Sequence, residues 1–384
     1  MRFRDALAGT GLSAIAEIKR RSPSAGDLRP DADHLSLARQ LGAAGAAAIS
    51  ILVDDRFGGA PEDLAAARAG TTVPLLAKGF FRNTSELAEL RELGADAVLL
   101  LLRELDDRAA ARLMAAARDL GLDALVEAHS AEELERAGAL GADPIGINAR
   151  DLSTFEIDRS AQLDLVARAP RDRVVVAESG IESRAQAAAA ELAGADAILV
   201  GSALMRAADP GAKLRELLAR PLVKVCGLTL EEDVAAAAEA GADLAGFILA
   251  AESPRRAERA LDVPETMLSV AVLVGEREEQ PTDLVQLYAR ENGHRGRDAV
   301  LMREADEVAR VADLPWEQED AGHLARAAAI AGRLMLAGKL GPENVKAAID
   351  AVDPWAVDAS SQLEISPGIK DHARIRAFVE AVRS

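Results

Sequence analysis

At 384 residues, with 49% hydrophobic and 28% charged side chains, the chain has the balance of a soluble globular protein and enough length for two cores rather than one. Aromatic residues make up only 3% of it and alanine supplies much of the apolar share, which favours helices packed closely on sheets over an all-β fold. A formal net charge of -18 speaks against nucleic acid or an anionic membrane as a partner, so an anionic substrate needs a local basic pocket.

Met1 to Ser13 lacks the apolar core of a signal peptide, and no apolar run approaches membrane-spanning length. The first such run, Ala14 to Ile18, reads as a buried strand, and charge gathers at its end in Glu17, Lys19, Arg20 and Arg21. Strands then follow at Ala47–Val53, Val73–Phe80, Ala97–Leu102, Ala124–His129, Ile145–Asn148, Val174–Ser179 and Ala197–Gly201. Between them run helical patterns such as Leu87, Leu90, Leu93 and Leu113, Ala116, Ala117, Leu120. A weak repeat punctuates the chain: Gly94-Ala95-Asp96, Gly141-Ala142-Asp143, Gly194-Ala195-Asp196 and Gly241-Ala242-Asp243 each stop a helix just before a strand. Eight strands alternating with helices predict a closed (β/α)8 TIM barrel over 1–220.

Near Arg220-Pro221 the proline ends a helix and the count restarts. Strands at Leu222–Gly227, Leu244–Leu249, Ser269–Val274, Leu284–Tyr288, Ala299–Met302, Arg310–Leu314, Leu334–Gly338 and Ala356–Ser360 predict a second TIM barrel over 221–384, shortened around its fifth and sixth strands. An open doubly wound sheet is the structural alternative there. The single cysteine, Cys226, allows no intramolecular disulfide and fits a reducing compartment. A cytoplasmic location is the expectation.

In parallel barrels substrates meet the carboxyl ends of the strands. The first half places Glu17 and Lys19, Lys78, Glu127, Asn148 and Arg150, and Glu178 at such ends. Any one of them alone is better read as a structural ion pair; repetition at successive strands favours a site. Ser179-Gly180 and Gly201-Ser202 follow the last two strands, where backbone N–H groups often hold phosphate. Lysines and carboxylates around such a pocket suit acid–base chemistry on a phosphosugar.

Ala16-Glu17-Ile18-Lys19-Arg20-Arg21-Ser22-Pro23-Ser24, Val126-Glu127-Ala128-His129, Ile145-Gly146-Ile147-Asn148-Ala149-Arg150-Asp151-Leu152, Ala177-Glu178-Ser179-Gly180-Ile181 and Val200-Gly201-Ser202 resemble the motif series of indole-3-glycerol-phosphate synthase. The resemblance implies ring closure, decarboxylation and dehydration of an anthranilate-bearing deoxyribulose phosphate in tryptophan synthesis. It implies Lys78 as general acid, with Lys19, Glu17 and Glu127 sharing later proton transfers. Ser22, Asn148, Arg150 and Glu178 would shape the substrate pocket, and Ser179, Gly180, Gly201 and Ser202 would hold phosphate. Two departures stand out. Lys78-Gly79-Phe80 lacks the aspartate usual after the lysine, and the helical extension before the first strand is largely missing.

Val223-Lys224-Val225-Cys226-Gly227 resembles the first strand of phosphoribosylanthranilate isomerase, which implies Cys226 as general base. Read by itself, Cys226 is either a small core hydrophobe or a thiol facing a mouth. Ser253-Pro254-Arg255, Gly341-Pro342-Glu343-Asn344 and Asp358-Ala359-Ser360-Ser361 also follow that family. Arg255 and Asp358 would bind substrate, and Gly338, Lys339, Ser360 and Ser361 phosphate. The family's glycine-rich phosphate loop after strand six is missing. Asp313 is either the general acid or a loop aspartate capping a helix near Pro315, and Lys339 either replaces part of the loop's charge or is solvated.

The leading expectation is a bifunctional enzyme acting on small anionic phosphosugar-anthranilate substrates. The alternatives are a synthase barrel carrying a non-catalytic scaffold domain, or another phosphosugar isomerase. No metal and no redox cofactor is expected: five histidines form no ligand spacing, and no dinucleotide signature follows a strand. The sequence leaves the oligomeric state open.

Overall fold

A computed structural model describes residues 2–9, 11–22, 26–150, 156–291, 294–314 and 320–384. The chain divides into two units, Met1–Ser183 with Ala187–Leu218, and Arg184–Gln186 with Ala219–Ser384. In the first, β1 (Ser13–Ile18), β2 (Ala48–Leu52), β3 (Leu75–Lys78), β4 (Ala97–Leu101), β5 (Asp123–Ala128), β6 (Ile145–Asn148), β7 (Val175–Glu178) and β8 (Ala197–Val200) form a closed barrel. Every pairing is parallel, and β1 closes the ring by pairing both β2 and β8.

Side chains alternate along these strands. Ile15, Leu76, Leu99, Leu125, Val176 and Leu199 fill the barrel interior together with Phe3 and Leu7 of the short helix Phe3–Leu7. Ala14, Ile49, Val98, Val126, Ile145 and Ile198 face the surrounding helices. One such helix, Asp107–Asp119, starts where Asp106 accepts the Ala109 N–H at 2.7 Å, and buries Ala110, Leu113 and Ala117 along one face. Covering Leu113 contributes about 2 kcal/mol.

The Gly-Ala-Asp repeat has a double cause. Gly94, Gly141, Gly194 and Gly241 take positive φ values of 101°, 71°, 116° and 88°, the left-handed turn that ends a helix. Each aspartate then accepts a backbone N–H at a strand start: Asp96 from Leu75, Asp143 from Val174, Asp196 from Val175 and Asp243 from Val223, at 2.7–3.0 Å. The repeat thus ties the amino ends of the strands together, leaving the carboxyl ends to chemistry.

The second unit also closes into eight strands: β9 (Leu222–Cys226), β10 (Leu244–Ile248), β11 (Leu268–Val274), β12 (Leu284–Glu291), β13 (His294–Arg303), β14 (Asp306–Ala312), β15 (Leu334–Leu336) and β16 (Ala356–Ala359). Closure through β9 and β16 rules out the open sheet. The shortening expected at the fifth and sixth strands takes the form of a meander. β13 is antiparallel to both β12 and β14, where strand–helix alternation implied parallel pairing throughout. Only residues 292–293 and 304–305 separate these strands. A parallel return needs a dozen or more residues, so the chain must double back. Among the described residues no helix is long and apolar enough to cross a membrane.

Candidate active site

Position parity brings the first unit's polar residues together. Two residues beyond Ile15, Leu76, Leu125 and Val176 come Glu17, Lys78, Glu127 and Glu178, on the same inward face but one layer nearer the mouth. Lys78 Nζ donates to Glu178 Oε2 at 2.6 Å and lies 3.5 Å from Glu17 and 3.8 Å from Glu127. Lys19 Nζ pairs with the other oxygen of Glu17 at 2.7 Å. Asn148 Nδ2 donates to Glu127 at 3.0 Å, and Asn148 Oδ1 accepts the Arg150 backbone N–H at 2.9 Å.

These residues sit in or beneath a cavity of 460 Å³ whose wall includes Glu17, Lys19, Ser22, Lys78, Glu127, Asn148, Arg150, Ser179, Gly180, Gly201 and Ser202. Phe57, Phe80, Leu99 and Leu101 supply apolar surface. Glu178 is fully buried and reaches the cavity only through Lys78. Two glycines make room for the carboxylates. A Cβ on Gly146 would fall 2.2 Å from Glu178 Oε1, and one on Gly201 would fall 2.4 Å from Glu17 Oε1.

Burial opposes charge on Lys78, but Glu178, Glu17 and Glu127 outweigh it and hold the ammonium above its ordinary range. Burial raises Glu178, with Lys78 opposing and Glu127 adding repulsion. Burial also presses on Glu127, yet Lys78, His129 and Asn148 draw it below the usual carboxylate range. Neighbouring carboxyls pushed in opposite directions can divide the roles of acid and base.

In the second unit Cys226, Arg255, Asp313, Gly338, Lys339, Asp358, Ser360 and Ser361 all line one cavity of 520 Å³. Beneath it Lys224, fully buried, donates to Asp358 at 2.8 Å and to Gln286 at 2.9 Å. The chain of contacts continues from Gln286 to Tyr288 at 2.7 Å, from the Tyr288 hydroxyl to Asp313 at 2.9 Å, and from Arg295 to Asp313 at 2.6 Å. Burial pushes the Cys226 thiol up, with Lys224 opposing. Arg255 is held by Glu364 at 2.8 Å. Asp313 follows β14 directly and faces the cavity that Cys226 lines. The alternative of a helix cap near Pro315 falls on 315–319, outside the described residues.

The sequence model of indole-3-glycerol phosphate synthase matches residues 1–217. The chain belongs to the indole-3-glycerol phosphate synthase family. Indole-3-glycerol phosphate synthase 2 of Streptomyces coelicolor is 45% identical over 217 residues, covering 56% of this chain and 84% of that protein. The synthase of Nocardioides sp. is 48% identical over 208 residues, 54% of this chain and 80% of its own length. The model of N-(5'phosphoribosyl)anthranilate isomerase matches residues 320–381. TrpF from Jonesia denitrificans aligns at 28% identity over 43% of this chain and 97% of that structure, with a TM-score of 0.33. The synthase and isomerase matches in one chain place it in tryptophan biosynthesis.

Within that family frame, the missing aspartate after Lys78 has a structural counterpart. A Cβ on Gly79 would fall 2.9 Å from the tip of the Phe81 ring and 3.3 Å from Val53, so a larger residue there requires that ring to move, while Glu178 contacts Lys78 from the facing strand at 2.6 Å. Sequence reasoning quoted His129 in a motif but gave it no role; its Nε2 lies 3.1 Å from Glu127 and its Nδ1 lies 3.3 Å from Glu133. Its position two residues beyond Glu127 was the available signal. It passed over Arg295, and it gave no role to Gln286, within a segment that resembles the isomerase family, or to Tyr288.

Proposed function

We propose that the 1–220 barrel converts 1-(2-carboxyphenylamino)-1-deoxyribulose 5-phosphate to indole-3-glycerol phosphate, and that the 221–384 barrel isomerises N-(5-phosphoribosyl)anthranilate to that substrate, both in the cytoplasm. The observation that supports the first assignment best is the ammonium of Lys78 set among three carboxylates, with Lys19 on one of them, at the floor of a cavity that also carries apolar surface.

In this reading Lys78 gives its proton to the substrate's carbonyl oxygen as the carboxylate-bearing ring carbon attacks the carbonyl carbon. Carbon dioxide then leaves, restoring the aromatic ring, and the new hydroxyl departs as water with a proton from the Lys19, Glu17 and Glu127 group, which takes up the proton lost by the neighbouring carbon as the indole double bond forms. Glu178 positions Lys78, as their 2.6 Å contact suggests. Phe57 and Phe80 supply surface for the anthranilate ring. Arg150, Asn148 and Ser22 line the substrate's path, and Ser179, Gly180, Gly201 and Ser202 receive its phosphate.

In the second barrel Cys226 takes the proton from the sugar carbon and Asp313 protonates the opening ring oxygen, while Arg255 and Asp358 hold substrate. Gly338, Lys339, Ser360 and Ser361 face the phosphate. Assaying the two steps separately on one preparation tests both assignments. Lys78→Ala should abolish synthase turnover and spare the isomerase, and Cys226→Ala should do the reverse. Isomerase turnover missing from the unaltered chain would favour the scaffold reading.

A further inference from the structure

In a barrel of parallel strands only carboxyl ends reach the mouth. β13 runs the other way, so its amino end stands there instead. Arg290 pairs with Arg295 and Glu291 with His294, beyond the point where β11 ends opposite β12 at Val274 and Tyr288. β12 and β13 are 8 and 10 residues long against 5 for β9 and β10. The hairpin therefore overhangs the rim and carries Arg295 into the cavity wall that also holds Asp313, Gly338 and Lys339.

The Arg295 guanidinium lies over the Tyr288 ring, 4.2 Å from its centroid, and Nη1 donates to Asp313 at 2.6 Å. Stacking fixes the plane of the fork, and Asp313 and the Tyr288 hydroxyl together engage fewer than its five donors. The ends of β14 and β15 press together beside it: a Cβ on Gly338 would fall 2.6 Å from the Leu314 backbone nitrogen. Next to Gly338, Lys339 holds a positive φ of 56°, a left-handed turn that costs a non-glycine residue some strain.

We propose that Arg295 binds the phosphate of the isomerase substrate, supplying from the overhanging hairpin the contact that a glycine-rich loop after the sixth strand would otherwise make. The proposal rests on the isomerase reading of this barrel. A guanidinium is suited to the task, because its planar fork meets two phosphate oxygens at once. The ends of the seventh and eighth strands, with Lys339 and Ser360, complete the ring of donors around the anion.

Arg295→Ala and Arg295→Lys, made in the full chain, test this. In Arg295→Ala the KM for phosphoribosylanthranilate should rise on the order of 10- to 100-fold, and competitive inhibition of the isomerase by inorganic phosphate should weaken in parallel. Arg295→Lys should recover part of both. An unchanged thermal melting profile of each variant reports that the second barrel is folded. A fall in kcat with an unchanged phosphate inhibition constant would mean that Arg295 only holds Asp313, and would overturn the proposal. Crystals of the full chain soaked in inorganic phosphate give a second readout. An anion on the Arg295 guanidinium supports the assignment even if the chain proves to lack isomerase turnover, in which case the isomerase reading alone fails. An anion held at the seventh and eighth strands with Arg295 still on Asp313 overturns it.

Discussion

Gly146→Ala puts the first-barrel geometry to its sharpest test. The added methyl would lie 2.2 Å from Glu178 Oε1, 3.3 Å from its Cδ and 3.5 Å from Leu125 Cδ1. The carboxylate oxygen must retreat by roughly 1 Å to reach ordinary van der Waals contact. It has little room to do so, since Glu178 is fully buried and its other oxygen is fixed on Lys78 at 2.6 Å. Overpacking of this kind costs about 1–3 kcal/mol. Moving the carboxylate drags or frees Lys78, and a shift of that size at a reacting group costs about 10²-fold in rate. The expected result is a synthase kcat roughly 100-fold lower, measured by fluorescence of the indole product, with a smaller change in KM and a lower melting temperature. Adding Glu178→Asp withdraws the oxygen by one methylene and should restore part of the stability. A kcat within twofold of the parent, with unchanged melting, would refute the claim that Glu178 positions Lys78 through this contact.

Gly79→Asp restores the residue usual in the family, and its Cβ meets the movable tip of the Phe81 ring at 2.9 Å, so we expect about 1 kcal/mol of destabilisation and no gain in synthase kcat; a faster enzyme would show that Lys78 lacks an orienting carboxylate here. His129 contributes a pH-dependent term. Burial opposes its charge, but Glu127 and Glu133 raise it to about 9 from an ordinary 6.5. A raised folded value means that the stabilisation is complete below pH 6.5 and disappears as pH rises through 9. His129→Gln should therefore lower the unfolding free energy read from urea titrations most at pH 6, by up to about 3 kcal/mol, and hardly at all at pH 10. An equal loss at both pH values would exclude the His129–Glu127 ion pair.

Much of the first barrel was legible because one signal served both fold and site. The same period-two alternation that marks Ile15, Leu76, Leu125 and Val176 as interior places Glu17, Lys78, Glu127 and Glu178 at the mouth. The role of Gly79 was not legible, since it depends on the Phe81 ring, a contact that spacing does not report. The antiparallel course of β13 was within reach. Asn292-Gly293 is a strong hairpin signal, and two residues cannot make a parallel crossover. Reading every apolar run as one more βα unit concealed it, and with it the residues that the reversed strand delivers to the mouth.

The two buried lysines show why a residue type alone does not assign a role. Lys78 and Lys224 both point into a barrel and both meet carboxylates, Glu178 at 2.6 Å and Asp358 at 2.8 Å. Depth separates them. Lys78 ends its strand, retains 15% side-chain exposure and lines the cavity, so a substrate oxygen can displace one of its carboxylates and take its proton. Lys224 lies two residues before the end of β9, has no exposure, and spends its donors on Asp358 and Gln286. Raised by Asp358 and Cys226 against its own burial, it stays charged beneath the floor. From there it opposes the burial that raises the Cys226 thiol, an electrostatic support for the base proposed for this barrel rather than an acid in its own right. The proposed proton donor and the buried strut thus differ by one layer of the barrel, and that layer is set by where each lysine falls relative to the end of its strand.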